Sequence, residues 1–243
     1  MVKTVSVLGF NIIQEDLSQV VLNEKIVINT ISPNSYGLSV KDPAMDRALK
    51  NSDYLVLDGV YFGLAALVLK GKRVRRITGW DCFQFFSKKM DAQKGRVFFL
   101  GSTENTLLKL KARFQQDFPN AAVGTYSPPL KAEFNEDDNR KMHQMVNDFK
   151  PQVLFIAMTA PKQEKWSVQN RDFIDVNIIS TIGNVFDWYA GNSTRPNVFW
   201  QKIGMEWLVR IFYRPEILKR NLANQMLFFW HLMLYSLKLK NYD

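Results

Sequence analysis

Asp58 is the residue on which chemistry would turn. It ends the short apolar run Tyr54-Leu55-Val56-Leu57 and precedes Gly59. That pattern fits a carboxylate delivered by a buried strand into a cleft, where burial raises its pKa and improves it as a base. A turn or helix-capping aspartate is the plainer account of the same position. A second polar group stands at a second strand end, in QVLFIAMTAPKQEKW from Gln152 to Trp166. Val153, Leu154, Phe155 and Ile156 form a continuous apolar run, as in a strand covered on both faces, and Pro161 suits the first turn of a following helix. Gln163 and its neighbour Glu164 would then sit at the carboxyl edge of a parallel sheet, where helix N-termini offer unpaired N–H groups and partial positive charge. Gln163, being neutral, suits hydrogen bonding to sugar or amide groups; a place at a helix start explains it otherwise.

Other residues suit phosphate. Gly101-Ser102-Thr103 follows Leu100 as a short strand-to-helix turn that either presents backbone N–H groups to an anion or merely turns. Arg76, in Arg-Ile-Thr-Gly, and Arg210, Arg214 and Arg220 further on carry the planar fork of donors that clamps a diphosphate, although surface solvation explains each of them singly. Asp187, in Gly-Asn-Val-Phe-Asp, caps or binds. No GxGxxG or Walker pattern occurs, so no established dinucleotide or ATP fingerprint is present. His143 and His231 are isolated, Cys82 has no second cysteine, and Asp-x-Asp is absent, which disfavours a divalent-metal mechanism.

The elements that would position these residues alternate. Strands are expected over residues 5–13, 25–30, 54–57, 96–100, 121–126, 153–156 and 176–181, the second ending in the loop Ile31-Ser32-Pro33-Asn34-Ser35 and the last in Ile182-Gly183-Asn184. Helices are expected over 42–50, 63–70, from Thr78-Gly79 to about residue 89, over 104–118 behind a Thr103 cap, and over 135–149. Such alternation predicts an α/β fold, a Rossmann-like, mostly parallel sheet with helices on both faces.

At 243 residues, 47% of them hydrophobic, the chain can bury a large core as one domain, with or without an appendage. Composition shifts after Arg195-Pro196. From there Lys202, Arg210, Arg214, Lys219 and Arg220 mingle with Trp200, Trp207, Phe212, Phe228, Phe229 and Trp230. The expected division is a catalytic domain over 1–195 and a helical appendage over 196–243. Basic residues beside large aromatics suit an anionic membrane surface; the alternative is a helical pair packed on the main domain or on another copy of the chain. The net charge of +9 also favours an anionic partner. A single cysteine fits a reducing compartment, with the cytosol the default. No signal peptide is expected, and the apolar stretch 226–235 falls far short of the roughly 20 residues that span a bilayer.

Leu57-Asp58-Gly59, Arg76-Ile77-Thr78-Gly79, Phe99-Leu100-Gly101, Pro161-Lys162-Gln163-Glu164-x-Trp166, Gly183-x-x-Phe186-Asp187-x-x-Ala190-Gly191 and Gly204-x-Glu206-Trp207-x-x-Arg210, in that order, resemble the WecG/TagA/CpsF family. These are bacterial glycosyltransferases that move an N-acetylmannosamine-type sugar, or another hexose, from a UDP donor to a polyprenyl-diphosphate-linked acceptor in wall or surface-polysaccharide synthesis. The resemblance implies a Rossmann-like domain whose C-terminal appendage helps to close the active site and touches the membrane. It implies that Asp58 deprotonates the acceptor hydroxyl, that Asn34 and Gln163 hold the sugar, that Arg76 lies by the sugar or diphosphate and Asp187 by the nucleotide. Arg210 and Arg220, with Arg214 between them, would neutralise departing UDP. Ser32 stands where the family has threonine and keeps the hydroxyl; Thr78, Gly101, Glu164 and Gly183 complete the implied substrate-binding set. The expectation is an inverting, metal-independent enzyme without a cofactor, peripheral on the inner face of the cytoplasmic membrane. Its expected partners are a UDP-sugar, a polyprenyl-diphosphate-linked saccharide and anionic lipid, with self-association open and nucleic acid not expected. The rival is a non-catalytic basic module that binds nucleotide or membrane.

Overall fold

A computed structural model of the chain describes residues 3–20, 24–194, 200 and 215–239, the side chains of 215–220 excepted. Eight strands form one sheet in the order β1-β2-β4-β3-β8-β7-β5-β6. β1 (Thr4–Val7) and β2 (Phe10–Ile13) pair antiparallel at one edge. All other neighbours are parallel: β3 (Ile26–Ile31), β4 (Tyr54–Leu57), β5 (Arg96–Gly101), β6 (Ala122–Tyr126), β7 (Val153–Ala157) and β8 (Ile178–Thr181). The expected α/β class, with its mostly parallel sheet, is what the chain adopts.

β7 shows why the apolar runs are continuous. Val153 and Phe155 join the hydrophobic cluster on one face, with Phe83, Phe99 and Phe114, while Leu154 and Ile156 join the other with Met142, Val146 and Trp166. Side chains alternate across a strand, so a strand roofed by helices on both faces needs apolar residues at every position. The roofing helices are α1 (Pro33–Lys41), α2 (Pro43–Lys50), α3 (Tyr61–Lys70), α4 (Gly79–Ala92), α5 (Glu104–Asp117), α6 (Glu136–Phe149), α7 (Lys162–Gln169) and α8 (Val185–Tyr189). α9 (Pro215–Ser236) closes the described chain.

Three expectations need correction. The single strand foreseen over 5–13 is a hairpin, because Leu8 (φ 54°) and Gly9 (φ 81°) both adopt the left-handed conformation that a two-residue antiparallel turn requires. Next, the loop foreseen at Ser32-Pro33-Asn34 is the start of α1. The Ser32 side chain accepts from the Ser35 N–H while the Ser35 hydroxyl accepts from the Ser32 N–H, and Pro33 takes the first turn, where its missing N–H costs nothing. Finally, α8, carrying Asp187, was not foreseen as a helix.

In the tail, α9 packs on the main domain through Asn224, Phe228, His231 and Leu232, all buried. Phe228 meets Tyr36 and Phe62 edge to face or tilted, and the Tyr36 hydroxyl lies 2.7 Å from His231 Nδ1. The opposite side of α9 exposes Met226, Phe229, Trp230 and Met233. Among the described residues no helix is long and apolar enough to cross a membrane. Arg210 and Arg214 lie outside the described residues, as does most of the junction foreseen near 195.

Candidate active site

The parallel strands β3, β4, β7 and β8 end side by side, and the turns that follow them enclose a cavity of about 150 Å³. Seven foreseen residues line it: Ser32, Asn34, Asp58, Thr78, Gln163, Glu164 and Gly183. Asp58 and Gln163, expected at two different strand ends, thus share one cavity. A ligand site at the carboxyl ends of parallel strands, beside the position where chain order along the sheet reverses, is the general rule for such sheets.

Each residue is held by local chemistry. The Asp58 N–H donates to the Ile31 carbonyl (2.9 Å), which continues the β3–β4 ladder one residue past the strand and fixes the carboxylate at its mouth. Gly59 (φ 95°) then turns the chain away through a conformation that a side chain would strain. Asn34, in the first turn of α1, accepts from Asn224 Nδ2 (3.0 Å), and Lys41 Nζ donates to Asn224 Oδ1 (2.7 Å). The terminal helix thus reaches the cavity through one amide. Thr78 caps α4: its hydroxyl accepts from the Asp81 N–H, and Asp81 Oδ2 accepts from the Thr78 N–H (2.7 Å). Gly79 abuts Ile182, where an added Cβ would lie 3.0 Å from the backbone, so the start of α4 sits directly against the end of β8.

Gln163 and Glu164 form the buried wall. The Met158 N–H donates to Gln163 Oε1 (3.3 Å) and Gln163 Nε2 donates to Glu164 Oε1 (2.9 Å), which fixes the orientation of the amide. Glu164 is 2% exposed, and its Oε2 has no hydrogen-bond partner among the described residues. Burial pushes this carboxyl above the ordinary carboxylate range, with the hydrogen bond from Gln163 a smaller opposing influence. Asp58, by contrast, is only half-buried.

The first turns of α1, α4 and α7 all open onto this cavity, through Asn34 and Ser35, Gly79 and Trp80, and Gln163 and Glu164. Helix N-termini carry partial positive charge and spare N–H donors, so their convergence suits an anionic group such as a diphosphate. With a carboxylate at the mouth and neutral amides on the wall, the arrangement can take a proton from a hydroxyl and bind a polar, negatively charged ligand.

The sequence profile of the glycosyl transferase WecG/TagA/CpsF family matches residues 4–242. The chain belongs to this family. Among its relatives, the N-acetylglucosaminyldiphosphoundecaprenol N-acetyl-β-D-mannosaminyltransferase of Bacillus spizizenii is 25% identical over 201 residues, covering 83% of this chain and 76% of the relative. The proteins of the same name from Bacillus subtilis strain 168 and Staphylococcus aureus strain NCTC 8325 are each 23% identical, covering 83% and 76% of this chain and 78% and 71% of theirs.

In this glycosyl transferase three foreseen residues stand apart from the cavity lining. Gly101 (φ 118°) lies buried at the end of β5, packed against the Ala157 backbone, where no side chain fits. Asp187 reaches the cavity indirectly: with the Asn184 amide turned so that Nδ2 donates to Asp187 Oδ2 (3.2 Å), Asn184 Oδ1 accepts from Trp188 Nε1 (2.9 Å), and both Asn184 and Trp188 line the cavity. Arg76 lines a neighbouring groove. Arg220 is on α9, and its side chain is not among those described. Trp80, Asn184 and Trp188 were not foreseen; Trp80 and Trp188 lie in α4 and α8, the helices that start beside the cavity, and Asn184 is the N-cap of α8. Among the described residues no three His, Cys, Asp or Glu side chains come together as metal ligands would.

Proposed function

We propose that the cavity binds a UDP-sugar and that the protein transfers its hexose or N-acetylhexosamine, of the N-acetylmannosamine type, to a polyprenyl-diphosphate-linked saccharide. The observation that carries this reading is the joint lining of one cavity by Asp58, Asn34 and Gln163 beneath three helix N-termini, in a chain of a glycosyl transferase family. The relatives' names supply the sugar and the acceptor class. In the proposed step Asp58 takes the proton from an acceptor hydroxyl, and the freed oxygen attacks the anomeric carbon. The bond to the UDP oxygen breaks and UDP departs with the electron pair. One displacement inverts the anomeric centre. Helix N-termini, with Arg210, Arg214 and Arg220, stabilise the leaving diphosphate, and no metal is needed in the step. Asn34 and Gln163 hold the sugar, Ser32 and Thr78 hold its neighbouring oxygens, and Asp187 steadies the nucleotide end through Asn184. The enzyme works peripherally, on the inner face of the cytoplasmic membrane, where its acceptor's diphosphate is within reach.

The test is a UDP-sugar panel read first as protection against heat unfolding and then as transfer. A ligand bound only by the native state raises the unfolding temperature. Asp58→Asn is expected to abolish transfer while UDP protection stays close to wild type. Near-normal turnover in that variant removes Asp58 from the role of base, and no protection by any UDP-sugar removes the donor assignment.

A further inference from the structure

Asp58 stands between two cavities. Its own side chain borders the first, while its chain neighbours Leu57 and Gly59 line a second of about 280 Å³. Gly63, Leu64 and Leu67 of α3 form one wall of this groove, and Val74 lies in the extended segment that a parallel bridge between Leu57 and Arg76 holds beside β4. Two lining residues carry charge, and both are arginines, Arg73 and Arg76.

The groove is open and its apolar wall is wet. Leu64 is 47% exposed and Leu67 44%, with Val68 more so on the next position of α3. Contiguous exposed apolar surface marks an interaction site more often than chance. The surface continues past the groove, because Tyr61 of α3 packs edge to face on Phe229 of α9 (5.3 Å between ring centres), beside exposed Met226, Trp230 and Met233. A hydrocarbon wall beside two guanidinium groups matches an amphiphile with a hydrocarbon tail and a phosphorylated head. Neither a free nucleotide, which has no tail, nor an apolar peptide, which has no phosphate, uses both features.

We infer that this groove takes the diphosphate and the first isoprenoid units of the polyprenyl-linked acceptor, with Arg73 and Arg76 on the diphosphate and the α3 leucines on the hydrocarbon. The saccharide beyond the diphosphate then extends past the Gly59 turn to Asp58, opposite the donor. This rests on the reading of the first cavity as the donor site. It gives the acceptor a separate entrance from the lipid side, so that donor and acceptor need not pass one another.

The probe is farnesyl diphosphate, a short prenyl diphosphate, compared with farnesol, inorganic diphosphate and UDP by calorimetric titration of the full chain. Farnesyl diphosphate is expected to bind more tightly than either farnesol or inorganic diphosphate, and saturating UDP is expected to leave its affinity within a factor of about two. Gly63→Leu fills the groove: a Cβ at Gly63 has ordinary room, 3.4 Å from Leu57 Cδ1, while the rest of the side chain projects into the space. Leu67→Glu places a negative charge on the exposed wall, where folding is not at stake. Each is expected to weaken farnesyl diphosphate about tenfold while UDP affinity stays unchanged. Wild-type protein that ignores farnesyl diphosphate, variants that bind it as well as wild type, or complete displacement by UDP would each overturn the inference. Loss of UDP binding in the wild type sinks the donor reading instead, so the two failures are distinguishable.

Discussion

Replacing Gly37 by alanine sets two effects of opposite sign against each other. Gly37 is a buried residue inside α1. On helix propensity alone, Gly37→Ala should stabilise by up to about 1 kcal/mol. The packing says otherwise, because the new Cβ would lie 2.6 Å from the Asn224 carbonyl oxygen and nearer still to the Asn224 Cα and Cβ on α9. These are atoms of a helix, not the end of a flexible side chain, so α1 and α9 would have to part by roughly 1 Å to restore normal contact. Overpacking of this kind costs about 1–3 kcal/mol. Parting also stretches the Tyr36–His231 and Asn34–Asn224 hydrogen bonds, each contributing about 1 kcal/mol. The net expectation is a loss of about 2 kcal/mol, which for a chain of this size lowers Tm by roughly 4–8 °C. Gly63→Ala is the control: its Cβ meets only ordinary contacts in α3, so the same substitution should leave Tm unchanged or raised. Because Asn224 holds Asn34 at the cavity, Gly37→Ala should also weaken protection by a UDP-sugar, which the control should not. A Tm for Gly37→Ala at or above wild type would refute the close docking of α9 on α1.

Glu164→Gln keeps the acceptor for Gln163 Nε2 and removes a buried ionisable group. Since burial raises the folded-state pKa, the glutamate's favourable contribution is complete below its unfolded value of about 4.3 and is lost as pH rises through the folded value. The variant's Tm should therefore pull ahead of wild type as pH rises from 4 to 8, and parallel curves would refute the burial argument. Asn29, fully buried in β3, bonds Ser52, Ser167 and Thr181. Asn29→Ala leaves the Thr181 hydroxyl without its acceptor, while Ser52 and Ser167 keep their bonds to the Ala48 and Glu164 carbonyls, and should cost about 1–3 kcal/mol in urea unfolding; no measurable loss would mean that Thr181 finds another partner. Burial, and then the charge of Asp81, push the Cys82 thiol up to about 12. Maleimide should therefore label the native protein at pH 8 no faster than it unfolds, and rapid native labelling would show the thiol to be accessible.

What the sequence disclosed follows the length scale of the physics that sets each feature. β7 and the placement of Gln163 were legible because a strand covered on both faces must be apolar throughout, and the residue after it has one place to go. Asp58 was legible for the same reason. The β1–β2 hairpin was not, because the turn places Leu8, an apolar residue, in the left-handed conformation, so Gly9 alone marks the break in the run. α1 was hidden by shared chemistry: Ser, Pro and Asn favour loops, and Ser followed by Pro is also how a helix starts. Arg76 was read as a clamp without a direction, since what aims it into the second groove is a bridge to Leu57 that no local pattern encodes.

The tail shows where composition stops discriminating. Aromatic and basic residues pointed somewhat more to a membrane or partner face than to a helix packed on the main domain. α9 is the second of these on one side, with Asn224, Phe228 and His231 turned inward, and it leaves Met226, Trp230 and Met233 exposed on the other. What separates the two faces is a glycine nearly 190 positions earlier, Gly37, whose missing side chain is the space that Asn224 occupies. The same contact couples the outer helix to the cavity, because Asn224 bonds Asn34. Any surface on which α9 rests is thereby two hydrogen-bonded amides away from the cavity.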